Sequence, residues 1–520
     1  MTTRIVGRTP FPSALHARRR DRELDALAGP GAIDVLVVGG GATGAGIALD
    51  AAARGLRTVL VERHDLAHGT SRWSSKLVHG GLRYLATGQV AIAHESAAER
   101  HLLLTRLAPH LTRALPQVVP LYAPGHVRRG AVVGLGYALG DGLRRVVGTP
   151  GDVLGPPAPI SAREALRLVP AIAEDGLRGG MRGWDGQLID DARLVVAIAR
   201  TAAGYGASVL TRVEAVSVSG DGAVLRDRLT GSEVHVRARA VVSATGVWAG
   251  ELDPAVRLRP SRGTHLVVPA SRLPGDASLT VPVPGSSSRF VFTLPAPHGR
   301  VYIGITDVAA DGPLPDVPQA TKAEVEGLLA TVNTVLARPL GREDVVATFA
   351  GLRPLLAAPD GTADPGATSD LSRRHAILES ATGALSVVGG KLTTYRRMAE
   401  DAVDAVVSRR LGGAAPGSPT RGLPLVGAWP RRLLADLDVR PRFVRRYGAE
   451  APFAASLPDG PAAAGGVTAQ ELEWGVRIEG ALSIDDLLER RTRLGLVPAD
   501  AEASTDAAAA AFARAGVAPV

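Results

Sequence analysis

The chain of 520 residues carries 59 lysines and arginines against 51 aspartates and glutamates, a formal net charge of +8, and it is 46% hydrophobic and 21% charged. Those proportions match folded globular proteins and exclude a chain disordered throughout. The absence of cysteine excludes disulfides, thiolate metal sites, cysteine-ligated iron–sulfur clusters, an S-linked flavin and a cysteine nucleophile.

The length suits about three folding units. Only Lys76, Lys322 and Lys391 are lysines, so a lysine is informative here and a lone arginine is not. Aromatic residues make up 4% and no dense basic block interleaves them, which argues against nucleic acid as a partner.

Residues 1–30 contain Arg18, Arg19 and Arg20 but no apolar run, so they read as a mobile N-terminal extension and not as a secretory signal. No stretch reaches about 18 uninterrupted apolar residues; a cytoplasmic protein without a transmembrane helix is expected. An apolar run from Ile33 to Val38 leads into Gly39-Gly40-Gly41-Ala42-Thr43-Gly44-Ala45-Gly46 and an Ala-rich stretch to Arg54. Gly55 stops it and Thr58 to Val61 resumes an extended run, giving strand, glycine turn, helix, strand.

Ser208 to Val242 holds β-branched segments broken at Gly220-Asp221-Gly222 and Thr230-Gly231, a hairpin pattern ending at Ala244-Thr245-Gly246. More strands are expected over Val281 to Asp307, a helix over Thr321 to Arg338, and a strand over Leu385 to Val388 that runs into Gly389-Gly390-Lys391. Thr394 to Arg409 has helical composition, Leu411 to Thr420 reads as a linker, and Arg431 to Leu437, Ala469 to Ile478 and Asp485 to Leu494 read as helices of a C-terminal domain. Alternating βαβ elements around a β-rich block indicate an α/β protein with an interleaved second domain.

The pattern Gly39-x-Gly41-x-x-Gly44 between strand and helix, with Glu62 ending the next strand, fits a dinucleotide. The glycines allow backbone N–H groups to approach a pyrophosphate at the helix N-terminus, Thr43 lies in that first turn, and Glu62 can accept ribose hydroxyl hydrogens. NAD and FAD share this fingerprint. The hydroxyl-rich loop from Thr70 to Leu85, with Ser71, Ser75, Lys76, His79 and Gly80, decides for FAD, whose pyrophosphate and ring edge need such a loop.

The run from Asp34 to Leu85 closely resembles FAD-dependent respiratory glycerol-3-phosphate dehydrogenases. Trp184-Asp185 with Asp190 to Leu194, Ala244 to Trp248, Arg262-Gly263-Thr264-His265, Gly304 to Asp307, Gly351 to Pro354 and Gly389 to Arg396 resemble the family in the same order. The resemblance is strong from Ile33 to Glu400 and weak beyond. It implies a D-amino-acid-oxidase-like α/β fold: a Rossmann-like FAD-binding domain from 31–120, 180–261 and 345–410, an interleaved β-rich substrate domain from 121–179 and 262–344, a linker at 411–420 and a helical C-terminal domain at 421–520. It further implies that Arg83, Tyr84, His265, Arg353, Arg373, Lys391 and Thr393 line a substrate pocket, and that Thr245, Gly246, Gly390, Lys391, Leu392 and Thr393 contribute to the FAD site.

A phosphorylated secondary alcohol needs fixed cations around its phosphate and a hydride acceptor near C2. Arg83, Arg353, Arg373 and Lys391 are candidates for the first, flavin for the second. Lys391 suits either the flavin N1/O2 edge or the phosphate. His265, expected at a strand end, can act as the base; an alkoxide polarised by arginine is the competing account. The catalytic candidates are therefore His265, Arg353 and Lys391, and no metal is expected. Thr306-Asp307, where Ile305 departs from the family's motif, supports the pocket from behind.

Arg128 to Arg145 reads as about three apolar turns flanked by paired arginines, either an interfacial helix on an anionic leaflet or an ordinary buried helix. The resemblance favours peripheral attachment to the inner face of the membrane. The expected partners are glycerol 3-phosphate, a membrane quinone and an anionic membrane surface, with a homodimer left open. An oxygen-using glycerol-3-phosphate oxidase, or another 2-hydroxy or 2-amino acid oxidase of the same fold, is the alternative.

Overall fold

A computed structural model of the protein describes residues 11–29, 31, 33–81, 84–85, 88–286, 289–310, 312–357, 374–413 and 415–520. The chain forms two compact units, the first from residues 1–72, 191–258 and 372–520, the second from 73–190 and 259–371. These limits differ from the expected domains. Residues 73–120, 180–190, 259–261 and 345–371 go with the second unit because Thr112–Tyr122 pairs with Leu177–Leu188, and Ala347–Arg353 with Ser261–Pro269. The helical residues after 421 group with the first.

The first unit is built on an eight-stranded sheet. Five strands run parallel, in the order Leu385–Val388, Glu233–Ser243, Ile33–Val38, Thr58–Glu62 and Ser208–Thr211. The middle strands are apolar on both faces because helices and loops cover both, as parallel sheets require. Ala376–Glu379 pairs antiparallel at one edge, and Val213–Val218, Gly222–Asp227 and Glu233–Ser243 form the expected hairpins. Helix Ala42–Ala53 follows the first strand and packs on helix Tyr395–Arg410, where a Cβ on Gly46 would come within 3.0 Å of the Tyr395 ring. Gly55, at φ +83°, lets the chain leave the helix for the second strand.

Two expectations for this unit are corrected. Residues 11–29 are packed, not a loose extension: Arg20, on helix Ala17–Asp25, is buried, donates from Nε to the Thr211 carbonyl at 2.8 Å and pairs with Asp227. The proposed linker is also anchored, since Thr420 is buried and its hydroxyl donates to Asp50 at 3.1 Å. The first was obscured by its arginines and the second by its glycines and prolines, yet guanidinium and hydroxyl donors in both satisfy buried acceptors.

The second unit holds a ten-stranded, largely antiparallel sheet whose long strands Thr112–Tyr122 and Leu177–Leu188 pair along their length. Its apolar face packs against helices Ala162–Leu168 and Lys322–Asn333. The latter helix starts with a capping box between Thr321 and Glu324 and ends earlier than expected. The segment read as three apolar turns is a 21-residue helix, His126–Val146, with no buried residue. Gly130, Gly134 and Tyr137 face the long strands, whereas Val132, Leu135 and Leu139 are 67%, 64% and 53% exposed. Among the described residues no helix is long and apolar enough to cross a membrane.

Arg20→Ala should lower unfolding stability by about 3 kcal/mol, because it leaves the Asp227 carboxylate and the Thr211 carbonyl short of their donor. Denaturant titration checks this; a change below about 0.5 kcal/mol would mean the N-terminal helix is dispensable.

Candidate active site

In the first unit, the sequence-distant motifs meet because parallel strands end on the same edge. Ile33–Val38 runs into Gly39, Thr58–Glu62 ends in Glu62, Glu233–Ser243 is followed by Thr245 and Gly246, and Leu385–Val388 by Gly389, Gly390 and Lys391. These four strands are successive neighbours, so their turns form one row at the carboxyl edge, where ligands of open α/β sheets bind. Thr43 stands in the first turn of the following helix, half-buried. Leu392 and Thr393 open a short 3₁₀ turn ahead of helix Tyr395–Arg410, with Thr393 buried and Lys391 partly so.

Backbone crowding explains the glycines of the first turn. A Cβ on Gly44 would lie 1.9 Å from the Gly39 carbonyl oxygen, and one on Gly39, already at φ +112°, 2.6 Å from the Ala244 oxygen. The helix therefore sits hard against the strand end with its unpaired N–H groups directed outward. Ser71 Oγ takes one of them, from Ala42, at 2.9 Å, and Thr70 lies beside it in the same 3₁₀ turn. Glu62 accepts N–H bonds from Gly40 at 2.6 Å and His64 at 2.8 Å, and burial pushes its carboxyl upward against these two bonds. Each carboxylate oxygen retains a lone pair for a hydroxyl.

The second unit carries a different cluster. His265 is not at a strand end: it lies within Ser261–Pro269, paired with Gly304 on one side and Phe349 on the other. Its ring stacks on Phe349 at 4.6 Å, and Nε2 lies 2.9 Å from Ser75 Oγ. Space for it comes from Gly304, where a Cβ would stand 2.1 Å from the imidazole. Arg353 lies over Gly263, two residues along the same face, where a Cβ would be 2.4 Å from Nη2. Its guanidinium donates to Ser261 Oγ at 3.1 Å and to the Thr306 carbonyl at 3.0 Å, and pairs with Asp307 at 3.3 Å. Thr306-Asp307 thus supports Arg353 directly.

Lys76 is buried, with Nζ 4.4 Å from the Phe349 ring centre and 2.8 Å from the Ser74 carbonyl it donates to. Gly80 donates its N–H to the buried Asp185, which also pairs with Arg100 at 2.7 Å; His79 is half-buried and Tyr84 buried in an apolar cluster. Arg83 and Arg373 lie outside the described residues. Phe349 and Ser261 were missed from sequence, although strict alternation in Ala347–Arg353 puts Phe349 on the face of Arg353 and was a usable signal.

Residues 34–396 match the model of a family described as FAD dependent oxidoreductase. The chain belongs to that family. Its cofactor is FAD and its fold the D-amino-acid-oxidase-like one. It is 52% identical to glycerol-3-phosphate dehydrogenase 1 of Mycobacterium tuberculosis, over 95% of this chain and 97% of that protein. A glycerol-3-phosphate dehydrogenase of Mycobacterium leprae is 39% identical over 89% of this chain and 81% of its own. The solved structure of the Bacillus halodurans glycerol-3-phosphate dehydrogenase complexed with FAD matches with a TM-score of 0.73 at 28% identity, covering 97% of this chain and 94% of that one.

For an FAD-dependent oxidoreductase, the crowded glycine turn suits a pyrophosphate, which only bare backbone can approach, and Glu62 suits a ribose. His265 is the electrostatic outlier. Burial, then Lys76 and Arg353, depress its pKa well below the usual imidazole value, so it is neutral in the folded chain. The unfolded chain takes up this proton below about pH 6.5. The stability contributed is therefore whole above that pH and is lost as pH falls, by about 1.4 kcal/mol per unit. Denaturant titrations at pH 6.5 and 5.5 should show that slope reduced by about one proton in His265→Gln; an equal slope in both proteins would contradict a neutral buried imidazole.

Proposed function

We propose that the protein oxidises sn-glycerol 3-phosphate at C2 to dihydroxyacetone phosphate and delivers the electrons to a membrane quinone, the activity classed EC 1.1.5.3. The relatives' names support the substrate, and the observation that carries the chemistry is the buried His265, with Nε2 on Ser75 Oγ, beside Arg353 on one sheet face. FAD, when bound, supplies the acceptor of the hydride that leaves C2. Gly39, Gly41, Thr43, Gly44, Glu62, Thr70, Ser71, Thr245 and Gly246 would hold its dinucleotide part, and Gly390, Lys391, Leu392 and Thr393 its ring side.

Arg353 offers a fixed guanidinium to the phosphate or to the developing alkoxide. His265 Nε2 takes the hydroxyl proton at the atom now shared with Ser75 Oγ. Burial contributes most to the depressed imidazole pKa, and a phosphate dianion brought beside Arg353 offsets the remaining part due to Lys76 and Arg353, which makes His265 a better base with substrate than without. Anaerobic addition of glycerol 3-phosphate should bleach the visible flavin band. Arg353→Ala and His265→Ala should each slow that bleaching by about 10²-fold, with the histidine variant keeping the substrate affinity. A flavin left oxidised by millimolar glycerol 3-phosphate would defeat the substrate assignment.

The exposed face of helix His126–Val146 supports attachment to an anionic leaflet. Val132, Leu135 and Leu139 form an outward apolar stripe, with exposed Arg128 and Arg129 at one end and exposed Arg145 at the other. The full-length protein should co-sediment with vesicles containing phosphatidylglycerol, and Leu135→Asp with Leu139→Asp should reduce the bound fraction at least fivefold. Equal binding by that variant would move the contact elsewhere.

A further inference from the structure

We infer that the segment Asp486–Arg493 near the C-terminus is a positioning element for FAD, acting through the loop from His64 to Arg72. The inference rests on the assignment of the Gly39–Gly44 turn and Glu62 to the dinucleotide. It concerns a part of the chain that the sequence reading treated as a separate helical domain.

The loop touches that turn in two places. Ala67 donates its N–H to the Gly40 carbonyl at 2.9 Å, and Ser71 Oγ accepts from Ala42 at the start of the helix. The loop does not hold this path by local preference, because Ala67 sits at φ +63°, a left-handed conformation disfavoured for a residue with a Cβ. It is gripped at both ends instead. At its start, the fully buried Asp65 accepts a two-pronged contact from Arg491, at 2.7 and 2.9 Å, and a third bond from Arg490 at 2.6 Å. Burial would raise the Asp65 pKa, but Arg491 and Arg490 outweigh it and hold the carboxyl well below its usual value. At the other end, Arg72 pairs with Glu489 at 2.7 Å, and Arg493 donates to the Arg72 carbonyl at 2.7 Å.

The two grips come from one short helical stretch, Asp486–Thr492, and the residue after it. A loop fixed at residues 65 and 72 by the same rigid element cannot slide along the glycine turn. Ser71 and the backbone of residues 66–71 are therefore held in place before the dinucleotide arrives, which lowers the ordering penalty of binding. The segment does not touch the reacting atoms; its effect is on cofactor affinity.

The test is release of FAD from the full-length holoprotein on dilution, read by the fluorescence of the freed flavin. Asp65→Asn should raise the FAD dissociation constant about tenfold, by analogy with losses seen when outer-shell partners of bound groups are removed. Glu489→Gln, whose carboxylate is 30% exposed and so less disruptive to remove, should raise it about threefold. The absorption band of the flavin still bound should keep its wild-type shape. Glu450→Gln is the control, since it loosens the fork to Arg200 at 2.7 and 2.8 Å in the same unit without touching the loop. It should lower the melting temperature yet leave FAD release within twofold of wild type. The inference fails if Asp65→Asn and Glu489→Gln both release FAD as the wild type does, or if Glu450→Gln releases it as readily as they do. Should Asp65→Asn not fold, Glu489→Gln alone decides between these outcomes. A wild-type protein that bound no FAD would remove the underlying assignment, and the inference with it.

Discussion

Parallel strand order in the first unit is the constraint on which the rest of the proposed dinucleotide site depends. Four chain turns, starting at Gly39, Glu62, Ala244 and Gly389, reach one edge only because the strands before them point the same way. Neighbouring strands stand about 4.8 Å apart, so four consecutive ends span about the length of a diphosphate with its flanking ribose. A reversed strand would place its turn at the far edge, roughly 20 Å away, with no adjustment of side chains able to compensate. The glycines then tighten this arrangement. Gly44 lies against the Gly39 carbonyl, and a methyl there would lift the helix off the strand and turn its N–H groups from their aim.

Local patterns were legible and long-range register was not. The first strand, turn and helix could be read because three glycines, an Ala-rich run and Gly55 all signal the same path within about thirty residues. Lys391 stood out through the rarity of lysine. The setting of His265 could not be read, because Gly304 and Phe349 become its neighbours only through pairing of Ser261–Pro269 with two strands distant in sequence. The extent of His126–Val146 beyond three turns was not legible, and Gly130 and Gly134 are the positions that let the helix approach the strands beneath.

The arginine-rich composition explains the other misreadings. A guanidinium has five donors in a rigid fork and can saturate a carboxylate and a carbonyl at once. Here Arg193 grips Glu479 with both Nη atoms at 2.8 Å, and Arg491 reaches both Asp65 and the Glu479 carbonyl. Such side chains behave as cross-links between stretches far apart in sequence, so an arginine-rich segment that reads as solvated can lie inside. Counting arginines therefore says little about substrate cations, and the argument for any one of them has to come from its surroundings.

For Arg353, proposed as such a cation, the surroundings fix its position: Ser261 Oγ and the Thr306 carbonyl accept from it at 3.1 and 3.0 Å. Asp307 stands at 3.3 Å, longer than the 2.6 to 2.9 Å contacts of the buried structural pairs, and its oxygen also takes the Ser261 hydroxyl. Burial first, and then the charges of Lys76 and Arg353, depress the His265 pKa. The cationic part of that depression, though not the part due to burial, is what a dianion bound beside Arg353 would relieve. In the proposed reaction that cationic contribution favours an anionic alcohol over a neutral one and, once the anion is bound, eases removal of the hydroxyl proton.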